Sequence, residues 1–390
     1  MRYFRESALN YKFALFCSIN IISKTFLAIL FLSIFSGVVL ATDEKPSEPQ
    51  LKLCWQFPNS ELTGILPTTQ SDHIFLTATG GKLFALNLSN GATLWRTELG
   101  GEIVGQTQVN QNLVFAASQI SATNDKPAFI IIRALSAETG LTVWQGELPA
   151  ASQIALALHE NYLLAATGEL NGVDKIFALS AQTGELRWTQ KQTAQLSTSL
   201  TIARGSLVFA TNDKILHVLS IADGHESHHF SLPHPATEKI VFNNGVFLFG
   251  DQAGNVSAIR ETDGKTSWEL RLGGAAQNIL TVSNGVVISS LDDFVYFHNI
   301  SNGRRIWRKR LASRPVGAVL LSKEAVLLAA TGETNSVVLS LKKGKLLSQI
   351  PLGGDNVAVA SPFAANSFVF VPTSQGLLSF APVSASCPTK

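Results

Sequence analysis

Charge is scarce in this chain: Asp, Glu, Lys and Arg make up 15% of its 390 residues, and apolar residues 46%. Such a balance suits a protein built mostly of β-strands. The net charge of +2 comes from residues 1–41, where Arg2, Arg5, Lys12 and Lys24 stand against Glu6; beyond them 26 basic residues face 27 acidic ones. Nucleic-acid binding is led by phosphate neutralisation, so a near-neutral balance with no expected basic stripe excludes that partner. Cysteine is scarce too, with three in all, at 17, 54 and 387. None directly follows Gly37, and Cys17 follows the bulky Phe16, so the lipoprotein signal pattern is missing. No Ser-His-Asp set, phosphate-cradling glycine loop or paired catalytic carboxylates can be assembled, which leaves catalytic residues, cofactor ligands and metal ligands all unassigned.

What is present begins with an export signal. Basic residues precede an apolar run, Phe26 to Phe35, and then SGVVLATDEKP, where Val39 and Ala41 fit positions −3 and −1 of a cleavage site. A second apolar patch, Phe13 to Ile22, lengthens the segment, so residues 1–41 read as a signal peptide or as an uncleaved N-terminal anchor. Residues 42–50, polar with two prolines, read as a tether, and 51–390 as the folded domain. The expected compartment is the periplasm.

That domain is a repeat. The stretch KIFALSAQTGELRW, Lys175 to Trp188, has the same form as KLFALNLSNGATLW, Lys82 to Trp95. The turn glycines are Gly91, Gly140, Gly184, Gly224, Gly264, Gly303 and Gly344, spaced 49, 44, 40, 40, 39 and 41 residues apart. Four residues after each stand Trp95, Trp144, Trp188, His228, Trp268, Trp307 and Ser348. The period is that of a four-stranded propeller blade. Glycine supplies the positive-φ position of a tight hairpin turn, and the tryptophan packs against the neighbouring blade, which also predicts a packing role for His228.

Two strand-like runs per unit recur eight times, as in NYLLAATG and KIFALSA, yet only seven glycine-marked turns exist. The eighth turn would fall near Ser384 to Ser386, where the chain ends. The missing fourth strand is supplied by Leu51 to Phe57, which carries Trp55, the sixth tryptophan. The expectation is an all-β, eight-bladed propeller of four-stranded antiparallel blades, closed by N- and C-terminal strands in one blade. Closure places Cys54 near Cys387, so a disulfide across the seam is expected, two free thiols being the other reading.

Repeats of the form [KI]-[LI]-F-A-L-x-x-x-[TN]-G-x-x-x-W resemble those of the pyrroloquinoline-quinone-type β-propellers, from about Leu51 to Pro382. WD-repeat and Kelch signatures are absent. Within that superfamily the size, export signal and GDQAGNVSAIRETDGKTSW, Gly250 to Trp268, resemble the BamB family of outer-membrane assembly factors. The resemblance implies a non-catalytic protein-binding scaffold that engages the β-barrel assembly machinery or other envelope proteins, a single chain within a complex and without a cofactor. The segment Glu269 to Leu280 is short beside the family's acidic insert, and SLPHPATE, Ser231 to Glu238, lacks the family's usual arginine, so partner-binding residues stay unknown.

Two chemical readings compete with a scaffold. A quinone-dependent dehydrogenase would resemble this fold, but such enzymes are longer and typically carry an adjacent cysteine pair, which is missing here. The pair Asp292–Asp293 sits in a between-strand turn, where solvated carboxylates are expected. A metal site could draw on His217, His225, His228, His229 and His234. They surround a hairpin turn, and a polar turn with incidental histidines is the plainer reading. Gly273–Gly274 and Gly353–Gly354, at the starts of units, read as backbone relief.

Overall fold

The computed structural model describes residues 50–151, 153–168 and 174–387. The segments assigned above to export and most of the tether lie outside the described residues. Among the described residues no helix is long and apolar enough to cross a membrane.

Eight four-stranded antiparallel sheets make the fold. Blades 1 to 7 occupy residues 68–98, 102–149, 153–191, 201–231, 237–271, 276–310 and 315–351. Blade 8 joins Phe363–Ala365, Phe368–Thr373 and Gly376–Pro382 to the first strand, Leu51–Pro58, in the order first, last, next-to-last and innermost. That first strand pairs antiparallel from Leu51 opposite Pro382 to Pro58 opposite Gly376. The ring is therefore an eight-bladed β-propeller whose two chain ends share one blade.

The second strand of each blade is mainly buried, as in His73–Ala78, because both its faces meet neighbouring blades, and the third ranges from mainly buried, as in Lys82–Asn87, to partly buried, as in Ile215–Ser220. The outermost strands alternate, as the exposed and buried positions of Thr93–Glu98 show. Apolar clusters accordingly span two blades each: Phe75, Leu83 and Trp95 of blade 1 pack with Val114 and Leu135 of blade 2. Hydrogen bonds also join innermost strands, from Thr68 to Thr107 and Thr201 to Ile240, and Ser361, just before the innermost strand of blade 8, donates to Val316.

The repeat motif is an inter-blade latch. Each of the six indole N–H groups donates to a main-chain carbonyl of the next blade, on Leu88, Ala137, Ala181, Ile221, Ile300 or Leu341, at 2.7–3.2 Å. The turn glycine of that next blade lies flat on the indole. All seven turn glycines have φ between 63° and 75°, and a Cβ on Gly184 would sit 2.6 Å from the Trp144 ring. Only glycine meets both demands, the left-handed backbone and the close approach to a ring.

The latch departs from the sequence reading at blade 4. His228 takes the register position of the tryptophans, opposite Val218, yet it is exposed. Phe230, two residues on and therefore on the same strand face, lies against Gly264 instead. The imidazole is too short to reach under the next turn. The packing role expected of His228 belongs to Phe230.

The junction from blade 7 to blade 8 has neither part of the latch. Ser348 stands opposite Val338 at the tryptophan position, and blade 8 has chain termini where a glycine turn would lie. Val369, Val371 and Leu378 of blade 8 pack with Leu327, Val338 and Ile350 there. Within blade 8, Cys54 and Cys387 are joined by a disulfide with Cα atoms 5.2 Å apart. The bond crosslinks the two ends where every other blade has a hairpin turn.

Candidate functional site

Three kinds of surface could act: the axial channel, the blade turns that carry the histidines, and the free outer edges. The channel is lined by innermost strands and their connections. One cavity of about 620 Å³ reaches Leu66, Thr237, Gln277, Val316 and Ser361. A second, of about 460 Å³, is lined by Gln106, Gln108, Leu156, Ser199 and Lys239. A third of similar size adds Gln153, Asp174 and Gln252. Beside aliphatic and small side chains these walls carry five glutamines, Gln106, Gln108, Gln153, Gln252 and Gln277, whose amides offer hydrogen bonds in both directions. Innermost strands read only as parts of blades in the sequence, so nothing there pointed to the glutamines.

Three of the five candidate histidines already face carboxylates. His217 donates from Nδ1 to Glu226 Oε1 at 2.7 Å, places Nε2 3.0 Å from Thr211 Oγ1 and stacks on Phe209 at 5.0 Å. His229 approaches the same carboxylate at 3.8 Å. His234 bonds through Nε2 to Glu269 Oε1 at 2.9 Å, in a different blade. Among the described residues no group of three or more His, Cys, Asp or Glu side chains is arranged to hold a metal ion.

Asp292 differs from the solvated role expected of it. It is half-buried, accepts from the Tyr296 hydroxyl at 2.5 Å and from the Phe294 N–H at 3.2 Å, and packs where Gly273 leaves room. Burial, then the hydrogen bond to Asp292 and its charge, push the Tyr296 hydroxyl above its usual range. The pair lies within blade 6, packed against the connection that enters it from blade 5. Two further buried acids went unremarked in the sequence: Asp251 holds Asn255 through main chain and side chain, and Asp174 accepts the Leu196 N–H at 2.6 Å. His298 is buried as well, donates from Nδ1 to the Gly303 carbonyl at 2.8 Å, and has its pKa lowered by that burial.

The outer edges are the most open surface. Each outermost strand pairs on one side only. Apolar side chains stand on these edges, with Val143 55% exposed, Leu186 57% and Ile306 47%. An unpaired strand edge flanked by apolar side chains is a template for strand addition.

Known proteins match this arrangement. The family model described as "Outer membrane protein assembly factor BamB" matches residues 37–148, 128–240 and 233–386. The outer membrane protein assembly factor BamB of Burkholderia pseudomallei (strain K96243) is 23% identical over 341 residues, covering 81% of this chain and 84% of the relative. Among solved structures, BamB from Moraxella catarrhalis superposes with a TM-score of 0.70 at 14% identity, covering 87% of this chain and all of the other. The quinohemoprotein alcohol dehydrogenase of Comamonas testosteroni gives 0.71 at 12% identity, over 88% of this chain and 78% of that one. At such identities the two structures speak for the fold alone. The family model, which spans most of the chain, speaks for more: this protein belongs to the family of the outer membrane protein assembly factor BamB.

Proposed function

We propose that the chain is a non-catalytic protein-binding scaffold of the periplasm that assists the assembly of outer-membrane β-barrel proteins. The observation that carries this reading is the family match along nearly the whole propeller. The physical basis is the rigid ring, which presents loops and free strand edges without moving. A client that is itself an unfolded β-strand finds main-chain partners on those edges and apolar contacts beside them. Residues 1–41 would direct export or anchor the chain, 42–50 would tether it, and no lipid-attachment cysteine is available near Gly37.

Crosslinking in intact envelopes followed by affinity purification tests the proposal. Recovery of the barrel-assembly insertase is the expected result. Recovery of other envelope proteins without any assembly component would replace it with an interaction propeller serving another partner. The dehydrogenase-like fold supplies a second reading, tested by mixing the protein with pyrroloquinoline quinone. An absorbance change at stoichiometric quinone would favour an oxidoreductase.

A further inference from the structure

The near-neutral charge of the domain conceals a local excess. Residues 301–350 hold ten Lys and Arg against two acids, Glu324 and Glu333. Most of these cations fall in two short stretches, RRIWRKR at 304–310 and KKGK at 342–345. The first contains the outermost strand of blade 6, Arg305–Arg310, and the second is a hairpin turn of blade 7.

The latch brings the two together. Trp307, in the middle of the basic strand, donates to the Leu341 carbonyl at 2.7 Å, and Gly344 lies on its indole ring. Arg304, Arg305, Arg308, Lys342, Lys343 and Lys345 are all exposed around that contact. Arg308 rests over the Phe294 ring at 5.1 Å, held in place but still facing solvent. Among the described residues the one ion pair these cations make is Arg310 with Asp293, at 3.8 Å. At the far end of the strand a groove of about 190 Å³ opens between blades 6 and 7. Its walls are apolar at Leu311, Leu328, Val337 and Leu346, and Lys309, Arg310 and one acid, Glu333, line it as well.

Cations on a strand edge also serve to block unwanted pairing. If that were their whole role, other blades should share it. They share it only in part: the outermost strand TLWRTE of blade 1 pairs Arg96 with Glu98, LRWTQK of blade 3 has two cations of which Arg187 pairs with Glu185, and LLSQIP of blade 7 has no charge at all. Blade 6 alone sets four cations and no anion on this edge, beside a pocket the size of one apolar side chain.

We propose that the blade 6 edge, with the adjoining turn of blade 7, is a docking site for an extended acidic segment of a partner protein. The segment adds as a strand beside Arg305–Arg310, sets its carboxylates against the cations and inserts one apolar side chain into the groove. A flat anionic membrane or a nucleic acid would use the charge but neither the strand edge nor the groove. The site stands apart from the assembly partner proposed above, and either can fail without the other.

The test is a fluorescence-anisotropy titration of the exported chain with a labelled twelve-residue peptide of alternating Glu and Val. Saturable binding is expected, weakened tenfold or more by Arg305→Glu with Arg308→Glu. Lys342→Glu with Lys343→Glu, on a different element, should weaken it similarly and guards against misfolding of the first variant. Arg187→Glu with Lys191→Glu, on the blade 3 edge, should leave it within twofold. N-methylating alternate residues of the peptide should abolish binding, since strand addition needs the main-chain N–H groups. Equal affinity for the N-methylated peptide, charge reversals without effect, or equal loss in the blade 3 control would each overturn the proposal. So would displacement of the peptide by phosphatidylglycerol vesicles or a DNA oligonucleotide at equal charge concentration.

Discussion

Removing the seam disulfide should weaken the whole ring, because the bond closes nearly the entire domain. Cys54 and Cys387 are 333 residues apart, and the chain-entropy relation for a loop of that length gives about 6 kcal/mol at 25 °C. Losses on removing native disulfides run to about 2–5 kcal/mol, so a loss of about 3–5 kcal/mol is expected for the double variant Cys54→Ser with Cys387→Ser. The junction behind the bond has no tryptophan latch to compensate, since Ser348 and the chain termini stand where the other junctions have a ring and a glycine. Urea unfolding of the oxidised, reduced and doubly substituted proteins reads the effect. The midpoint should fall while the slope rises, because the crosslink acts on the unfolded chain and its removal lets that chain expand. Reduced and oxidised proteins agreeing within about 1 kcal/mol, with equal slopes, would refute the entropic argument. Two free thiols in the unreduced protein would refute the bond itself.

Three further outcomes follow from the latch and the buried histidine. Gly184→Ala should cost about 2–4 kcal/mol by thermal or urea unfolding, since it adds a contact with Trp144 to the backbone penalty at φ 75°. Gly332→Ala, with a similar φ of 71° and open space around its Cβ, should cost only the backbone share, about 1–2 kcal/mol. Phe230→Ala should destabilise by about 1–3 kcal/mol as a half-buried aromatic under Gly264, whereas the exposed His228→Ala should stay within about 0.5 kcal/mol. His298 has a folded pKa below its unfolded value, so the unfolded chain takes up the proton first as pH falls. Its contribution is complete above the ordinary histidine range and is lost as pH drops from there toward the lowered folded value. Stability measured between pH 8 and 5 should fall less steeply in His298→Gln than in the parent; equal slopes would count against the buried neutral imidazole.

The sequence by itself determined the architecture. A turn needing positive φ, followed four residues later by a large aromatic, recurs at a period of about forty residues, and that pattern carries blade length, blade number and shared closure. Such features are legible because hairpin turns and strand alternation depend on neighbours in sequence. Which ring meets which glycine was beyond it. His228 held the tryptophan's place in spacing and in register, yet side-chain length gave the contact to Phe230. Asp292 sits in what reads as a plain turn, but a glycine from the preceding connection leaves room for it to hold Tyr296. The functional surfaces depended most on tertiary structure. Glutamines scattered over three innermost strands and one blade turn become one channel wall only when the ring closes. Likewise 304–310 and 342–345 are two unremarkable basic stretches until Trp307 reaches Leu341 and draws them into one patch, because charge acts through space and the chain separates them by a whole blade.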